Sequence, residues 1–281
     1  MMELIYSLLD AALPVDWLSY SFMKNAFLAI LLVTPLFGLL STMVVSNRMA
    51  FFADSLGHGA FSGIAVGVLL GSKSPLLSLI VFSIFFAVFI TYIKQRSKAS
   101  TDTVIGVFSS MAVAIGLMIM SRGGGFNKFS SYLIGDVLSI RQEEIVTLAF
   151  VFMAVVVAWT VLFNSLLLIS INAPFARSRG IRSFFIESCF ASLVAVVVAV
   201  SIQWVGILVI NSLLVLPGAA ARNVTGDVKS YHFVSVLISV LSGVSGLITA
   251  YYCDMAVGAT VVLVAAVCYF ITLILKPYFV R

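Results

Sequence analysis

The sequence predicts an all-α fold, a polytopic membrane helix bundle of about nine transmembrane segments, and three observations predict it. Hydrophobic residues fill 62% of the 281 positions against 10% charged, with a mean hydropathy of +1.19. That leaves too little polar surface to coat a soluble domain of this length. Apolar runs long enough to cross a bilayer, or nearly so, recur at 25–46, 49–71, 75–93, 103–120, 145–171, 186–204, 206–222, 231–251 and 256–275. The 16 Lys and Arg residues are scattered through the connections between these runs, so the net charge of +5 reports orientation and gives no footing to a nucleic-acid partner. One transmembrane domain over 1–281 follows.

Residues 1–24 read as an N-terminal surface segment. They carry Glu3, Asp10 and Asp16 and no basic stretch ahead of an apolar one, which argues against a cleavable signal peptide. The first long run begins only after Lys24.

The second run, 49–71, holds the chain's most informative feature, Asp54 and His58, one helical turn apart inside apolar sequence. Four residues of helix rise about 6 Å and return to nearly the same face, so the two side chains can converge on one ion. Ionisable groups at membrane depth are costly and by default mark a function. The plainer alternative is hydrogen-bonded glue between helices. Ser62 extends the polar row at the same spacing, and that row should face a cavity or a partner. Beside it Gly59, Gly63, Gly67 and Gly71 recur every fourth residue, a smooth stripe against which another helix can pack closely.

The runs at 75–93 and 103–120 carry no such groups. Between the fourth and fifth runs, Arg122-Gly-Gly-Gly leads into an apolar stretch too short to span, and 128–140 reads as a re-entrant or interfacial helix at the outer mouth. Asp136 lies in it, either as a cap of a solvated turn or as part of the ion's route of access. Between the fifth and sixth runs, 172–182 holds three arginines and reads as a short cytoplasmic helix bounded by Pro174 and Gly180. Two readings stay open for it: ordinary positive-inside anchoring, or a basic knob docked into a cytoplasmic partner. The run 206–222 is short enough to be broken or tilted. Cys189, Cys253 and Cys268 stand singly and read as small core hydrophobes, and His232 has an interfacial role at the inner end of its helix.

With the C-terminus cytoplasmic and the N-terminus outside, eleven of the sixteen basic residues fall on the inner side and five on the outer. The positive-inside rule selects that topology, and Trp17, Tyr20, Trp204, Tyr251 and Tyr252 then fall near the outer interface. The chain has no G-x-x-x-x-G-K-[ST] phosphate loop, no HExxH and no GxSxG. It is therefore not expected to be an enzyme or to hold a cofactor, and any ATP-driven step needs another subunit.

The segment Asn47-Arg-Met-Ala-Phe-Phe-Ala-Asp-Ser-Leu-Gly-His-Gly-Ala-Phe-Ser-Gly63 resembles the signature of the permeases of bacterial zinc, manganese and iron ABC importers. Asp102 to Gly106, Tyr132 to Ser139 and Gly206 to Arg222 are similar to further family stretches in the expected order. Departures are Ser62, where proline is common, and Gly57, where serine or alanine is usual. The resemblance implies metal contact through Asp54 and His58, a second permease copy, and residence in the bacterial inner membrane. It also implies two cytoplasmic ATPases docked on the 172–182 helix through Ala176, Arg177, Arg179 and Gly180, and an external metal-binding protein. Two such chains across a symmetry axis would offer two carboxylates and two imidazoles, a set that suits Zn²⁺ and accepts Mn²⁺ with added waters. Zinc is slightly favoured. The rival functions are a proton-coupled secondary carrier, using the same pair as a relay, and an ABC permease for an iron chelate or cobalamin.

Overall fold

A computed structural model describes residues 2–13, 15–72, 74–123 and 135–279. Eleven α-helices follow in order: α1 (Met2–Ala12), α2 (Ser21–Ser46), α3 (Ala50–Leu69), α4 (Pro75–Arg96), α5 (Thr101–Gly123), α6 (Gln142–Ile171), α7 (Ala173–Ser178), α8 (Ser183–Val205), α9 (Ile207–Val224), α10 (Val228–Cys253) and α11 (Val257–Phe279). Each of the nine expected runs forms one helix. Eight are long and apolar enough to cross a membrane, and the shorter α9 is the one the sequence marked as broken or tilted. In lipid a helix satisfies every backbone amide within itself, which is why the described residues contain helices and no strand.

The ends of these helices obey local chemistry. Ser74 accepts the Leu77 amide ahead of Pro75, and Asp227 accepts the amides of Lys229 and Ser230, each at 3.0 Å. At the end of α3, Ser72 N donates to Gly67 O and Gly71 N to Val68 O, with Gly71 at φ +70°. This is a Schellman stop, so Gly71 ends the helix and is not a member of its packing face. Inside α9, Pro217 has no amide to donate, and the Gly218 amide leaves the helix to reach Ser41 Oγ of α2 at 2.8 Å.

The helices pack as two groups. α3, α4, α5 and α8 form one; α2, α9, α10 and α11 form the other; α3 meets α9 at the seam between them. The remaining glycines of the α3 stripe face α4. A Cβ added to Gly59, Gly63 or Gly67 would lie 3.0 Å from the Phe86 ring, 2.9 Å from Phe82 Cβ or 2.4 Å from Ser78 Cβ. With no hydrophobic drive between helices in lipid, such close approach is the source of cohesion. Gly63→Leu should therefore separate α3 from α4 and cost about 1–3 kcal/mol, read as a lowered unfolding temperature of the detergent-purified chain. An unchanged midpoint would show that the stripe is not a packing surface. Gly59→Ala should cost less, because a ring can yield where a Cβ cannot.

The second group is held by serines. Ser235 Oγ donates to Gly38 O at 2.6 Å and Ser239 Oγ to Thr34 O at 2.7 Å, joining α10 to α2 where Gly38 brings the backbones together. The N-terminal segment is less superficial than its composition predicts. Trp17, Leu18 and Met23 are buried, and Lys24 Nζ lies 2.7 Å from the Asp10 carboxylate. The Tyr6 hydroxyl donates to Asn25 Oδ1, and Asn25 Nδ2 donates to Ile140 O at 3.2 Å, tying α1 and α2 to the start of α6. Most of the expected re-entrant helix at 128–140 lies outside the described residues. Its described end is a 3-10 turn, Val137–Ser139, capped by Asp136, which accepts the Leu138 amide at 3.0 Å.

Candidate metal-binding site

Asp54 and His58 project from the middle of α3 into the seam. His58 Nε2 stands 3.6 Å from Asp54 Oδ1, too far for a hydrogen bond and close enough to share a cation. The side chains are 41% and 40% exposed, while Ala53, Ser55, Leu56 and Ala60 around them are buried. Between Phe52 and Ala60 the helix thus turns only these two groups toward open space. His58 opens onto a cavity of about 800 Å³ whose lining also includes Asp136, Trp204, Val209, Ser212 and Met255. Asp136 therefore both caps its turn and borders the cavity that reaches His58, so its two sequence readings are compatible.

Ser62 does not join them. It is fully buried and its hydroxyl donates to the Ala112 carbonyl of α5. The third member of the polar row is helix glue, contrary to expectation, whereas the first two are not.

A residue that the sequence reading passed over takes the vacant role. Asn211 Nδ2 of α9 donates to Asp54 Oδ1 at 2.5 Å, and its own Oδ1 is buried without a hydrogen-bond partner. The amide fixes the carboxylate from the opposite helix group, so the pair is oriented across the seam. An unpartnered oxygen beside an acid and an imidazole is an environment that a cation would satisfy. The available signal was a lone asparagine in an apolar run, the same kind of signal that marked Asp54.

Among the described residues no group of three or more His, Cys, Asp or Glu side chains converges. One chain therefore offers two of the side chains that most often bind metals, fewer than the four donors of a closed tetrahedral site. The donor set is nitrogen and carboxylate oxygen, which suits borderline dications.

At the other end of the bundle, α7 is a six-residue helix. Asn172 Oδ1 accepts the Phe175 amide at 3.0 Å, Pro174 opens the helix, and Gly180 at φ +82° stops the chain just beyond it. Arg177 and Arg179 are exposed, with Arg179 5.1 Å from the Phe175 ring centre. Ala176 is fully buried against its own chain, so it anchors the helix and cannot itself meet a partner. Phe175, exposed beside the arginines, replaces it on the outward face.

The chain is 27% identical to the high-affinity zinc uptake system membrane protein ZnuB of Buchnera aphidicola over 248 residues, 88% of this chain and 95% of that protein. It is 26% identical to the manganese import system permease protein ScaB of Streptococcus parasanguinis over 258 residues, 92% of each. Its fold superposes on the solved structure of PsaBC from Streptococcus pneumoniae in complex with Fab with a TM-score of 0.79 and 25% identity, covering 97% of this chain and 95% of that one. Residues 19–276, from the start of α2 nearly to the end of α11, match the model of the ABC 3 transport family, and the chain belongs to that family.

Proposed function

We propose that this chain is the membrane-spanning permease of an ATP-driven importer of a divalent transition-metal ion, Zn²⁺ slightly before Mn²⁺, with Fe²⁺ a further candidate. The observation that carries the reading is the Asp54–His58 pair, held open at the helix seam and steadied by Asn211, in a chain of an ABC transport family. The ion is the cargo and the chain needs no resident cofactor. A second permease copy would complete the donor set, because one chain supplies only half of a four-ligand site.

Arg177, Arg179 and Phe175 form the surface on which two cytoplasmic ATPase subunits dock; ATP is hydrolysed there, since this sequence carries no phosphate loop. An external metal-binding protein delivers the ion at the opposite end, near Asp136, in the inner membrane with the C-terminus cytoplasmic. Movement of the two helix groups about the α3–α9 seam would alternate access to the pair. The broad exposed apolar faces of α6 and α11, Phe150, Val161, Phe270 and Ile274 among them, face lipid or the second copy.

Uptake of radioactive zinc and manganese by cells expressing the chain with its ATPase and binding protein tests this reading. Accumulation should be vanadate-sensitive and insensitive to a protonophore. Collapse of uptake with the proton gradient would instead identify a secondary carrier using Asp54 and His58 as a relay.

A further inference from the structure

A second, smaller cavity of about 300 Å³ lies at the α7 end of the bundle, among the ends of α2, α6 and α9 and the start of α10. It shares no lining residue with the cavity that reaches His58. Its wall carries apolar residues, Met43, Leu167, Ile171 and Val228, of which Ile171 is 73% exposed, and polar ones, Ser46, Ser170, Arg222, Thr225, Tyr231 and His232.

The charges and donors on that wall are unequally committed. Asp227 also borders the cavity, but its carboxylate caps α10, and the hydroxyl and amide of Ser230 hold its pKa below the ordinary carboxylate value. Tyr231 spends its hydroxyl on Thr42 O at 3.2 Å. His232 Nδ1 sits 2.7 Å from Val228 O, so that nitrogen carries the proton and Nε2 is the acceptor. Nε2 is buried and has no hydrogen-bond partner among the described residues, and Trp159, Phe163 and Tyr231 stand round the ring with centroids 5.2–5.7 Å away. Arg222 makes no ion pair among the described residues. What is left over is one cation and one acceptor without a hydrogen bond, beside apolar residues on the same wall.

We propose that this cavity binds the glycerophosphate headgroup of an anionic membrane lipid, with Arg222 taking the phosphate and His232 Nε2 accepting from a glycerol hydroxyl. The apolar lining residues and the exposed Ile171 favour a lipid over a soluble phosphate, since acyl chains would pack against them. Basic cavities between transmembrane helices at the membrane surface are where such headgroups are held. The proposal does not depend on the metal reading, because it uses no residue of that site.

The test is native mass spectrometry of the full-length chain with equal amounts of dioleoyl phosphatidylglycerol, phosphatidylmethanol and phosphatidylcholine. Phosphatidylmethanol has the same charge but no headgroup hydroxyl. Wild type should retain phosphatidylglycerol about fivefold over phosphatidylcholine, the ratio one cationic contact gives at a membrane surface. Arg222→Gln should abolish that preference and Arg222→Lys should keep most of it. His232→Phe should bring phosphatidylglycerol down to the level of phosphatidylmethanol while both stay above phosphatidylcholine. Equal retention of all three lipids by wild type, unchanged preference in Arg222→Gln, or displacement of bound lipid by millimolar glycerol 3-phosphate would each overturn the assignment. If Arg222→Gln does not fold, Arg222→Lys and His232→Phe decide it alone.

Discussion

Asp54→Ala and His58→Ala should each abolish metal accumulation while the chain still assembles in the membrane. In a paired permease either change removes two of four side-chain ligands, and a two-ligand site holds a dication orders of magnitude more weakly. Asp54→Asn is the sharper variant. If Asp54 were only glue, Asn would keep a hydrogen bond to Asn211 and uptake would survive; if Asp54 is a ligand, loss of the charge should be as damaging as Asp54→Ala. Asn211→Ala should be milder, raising the concentration for half-maximal uptake about 10–100-fold, the usual cost of losing a group that orients a ligand. Ser62→Ala should transport normally, since Ser62 bonds only a neighbouring carbonyl. Wild-type uptake by Asp54→Asn and His58→Ala, with normal expression, would remove the pair from the transport path.

These residues show what could be read without coordinates. The nine apolar helices were legible because lipid imposes one solution on any long apolar run, and the structural ends fall within a few residues, 142–171 against an expected 145–171 for α6. The Asp54–His58 pair was legible because four residues nearly close a helical turn. Ser62 failed on the same arithmetic, for eight residues at about 100° each leave it roughly 80° round the helix from Asp54, on the face toward α5.

Partners remote in sequence left no local trace. Asn211 meets Asp54 across 157 positions and Asn25 meets Ile140 across 115, so neither the steadying of the site nor the tying down of the N-terminal segment follows from spacing. The glycine stripe announced a packed face but not its mate, and Gly71 kept the period while serving a different purpose, the left-handed stop that ends α3. Pro174 and Gly180 bounded α7 correctly, yet a six-residue helix turns different residues inward and outward, and only packing shows that Ala176 is inward.

Gly206→Ala should be among the most destabilising single-methyl changes in the chain and should also weaken transport. Gly206 is the only residue between α8 and α9, with φ +79° and ψ 159°, a region open essentially to glycine alone. An alanine there stores about 1–3 kcal/mol of backbone strain or shifts the start of α9. The site lies close by in sequence: Asn211 is five residues further along the same helix, and a shift at the joint moves the amide that holds Asp54. A second contact closes on the same point from the segment before α6. Gly135 at φ +69° lies against it so tightly that an added Cβ would stand 2.2 Å from Gly206 N. Gly135→Ala should thus dislodge the Asp136 turn at the mouth of the cavity, and both variants should lower the unfolding temperature and raise the metal concentration needed for uptake. Gly106→Ala is the contrasting control, because nothing lies within 4 Å of that position in α5, and alanine in a helix interior is favoured over glycine by about 1 kcal/mol. Should Gly206→Ala match Gly106→Ala in stability and in uptake, the joint carries no strain, and the link from Gly135 through α9 to Asp54 is wrong.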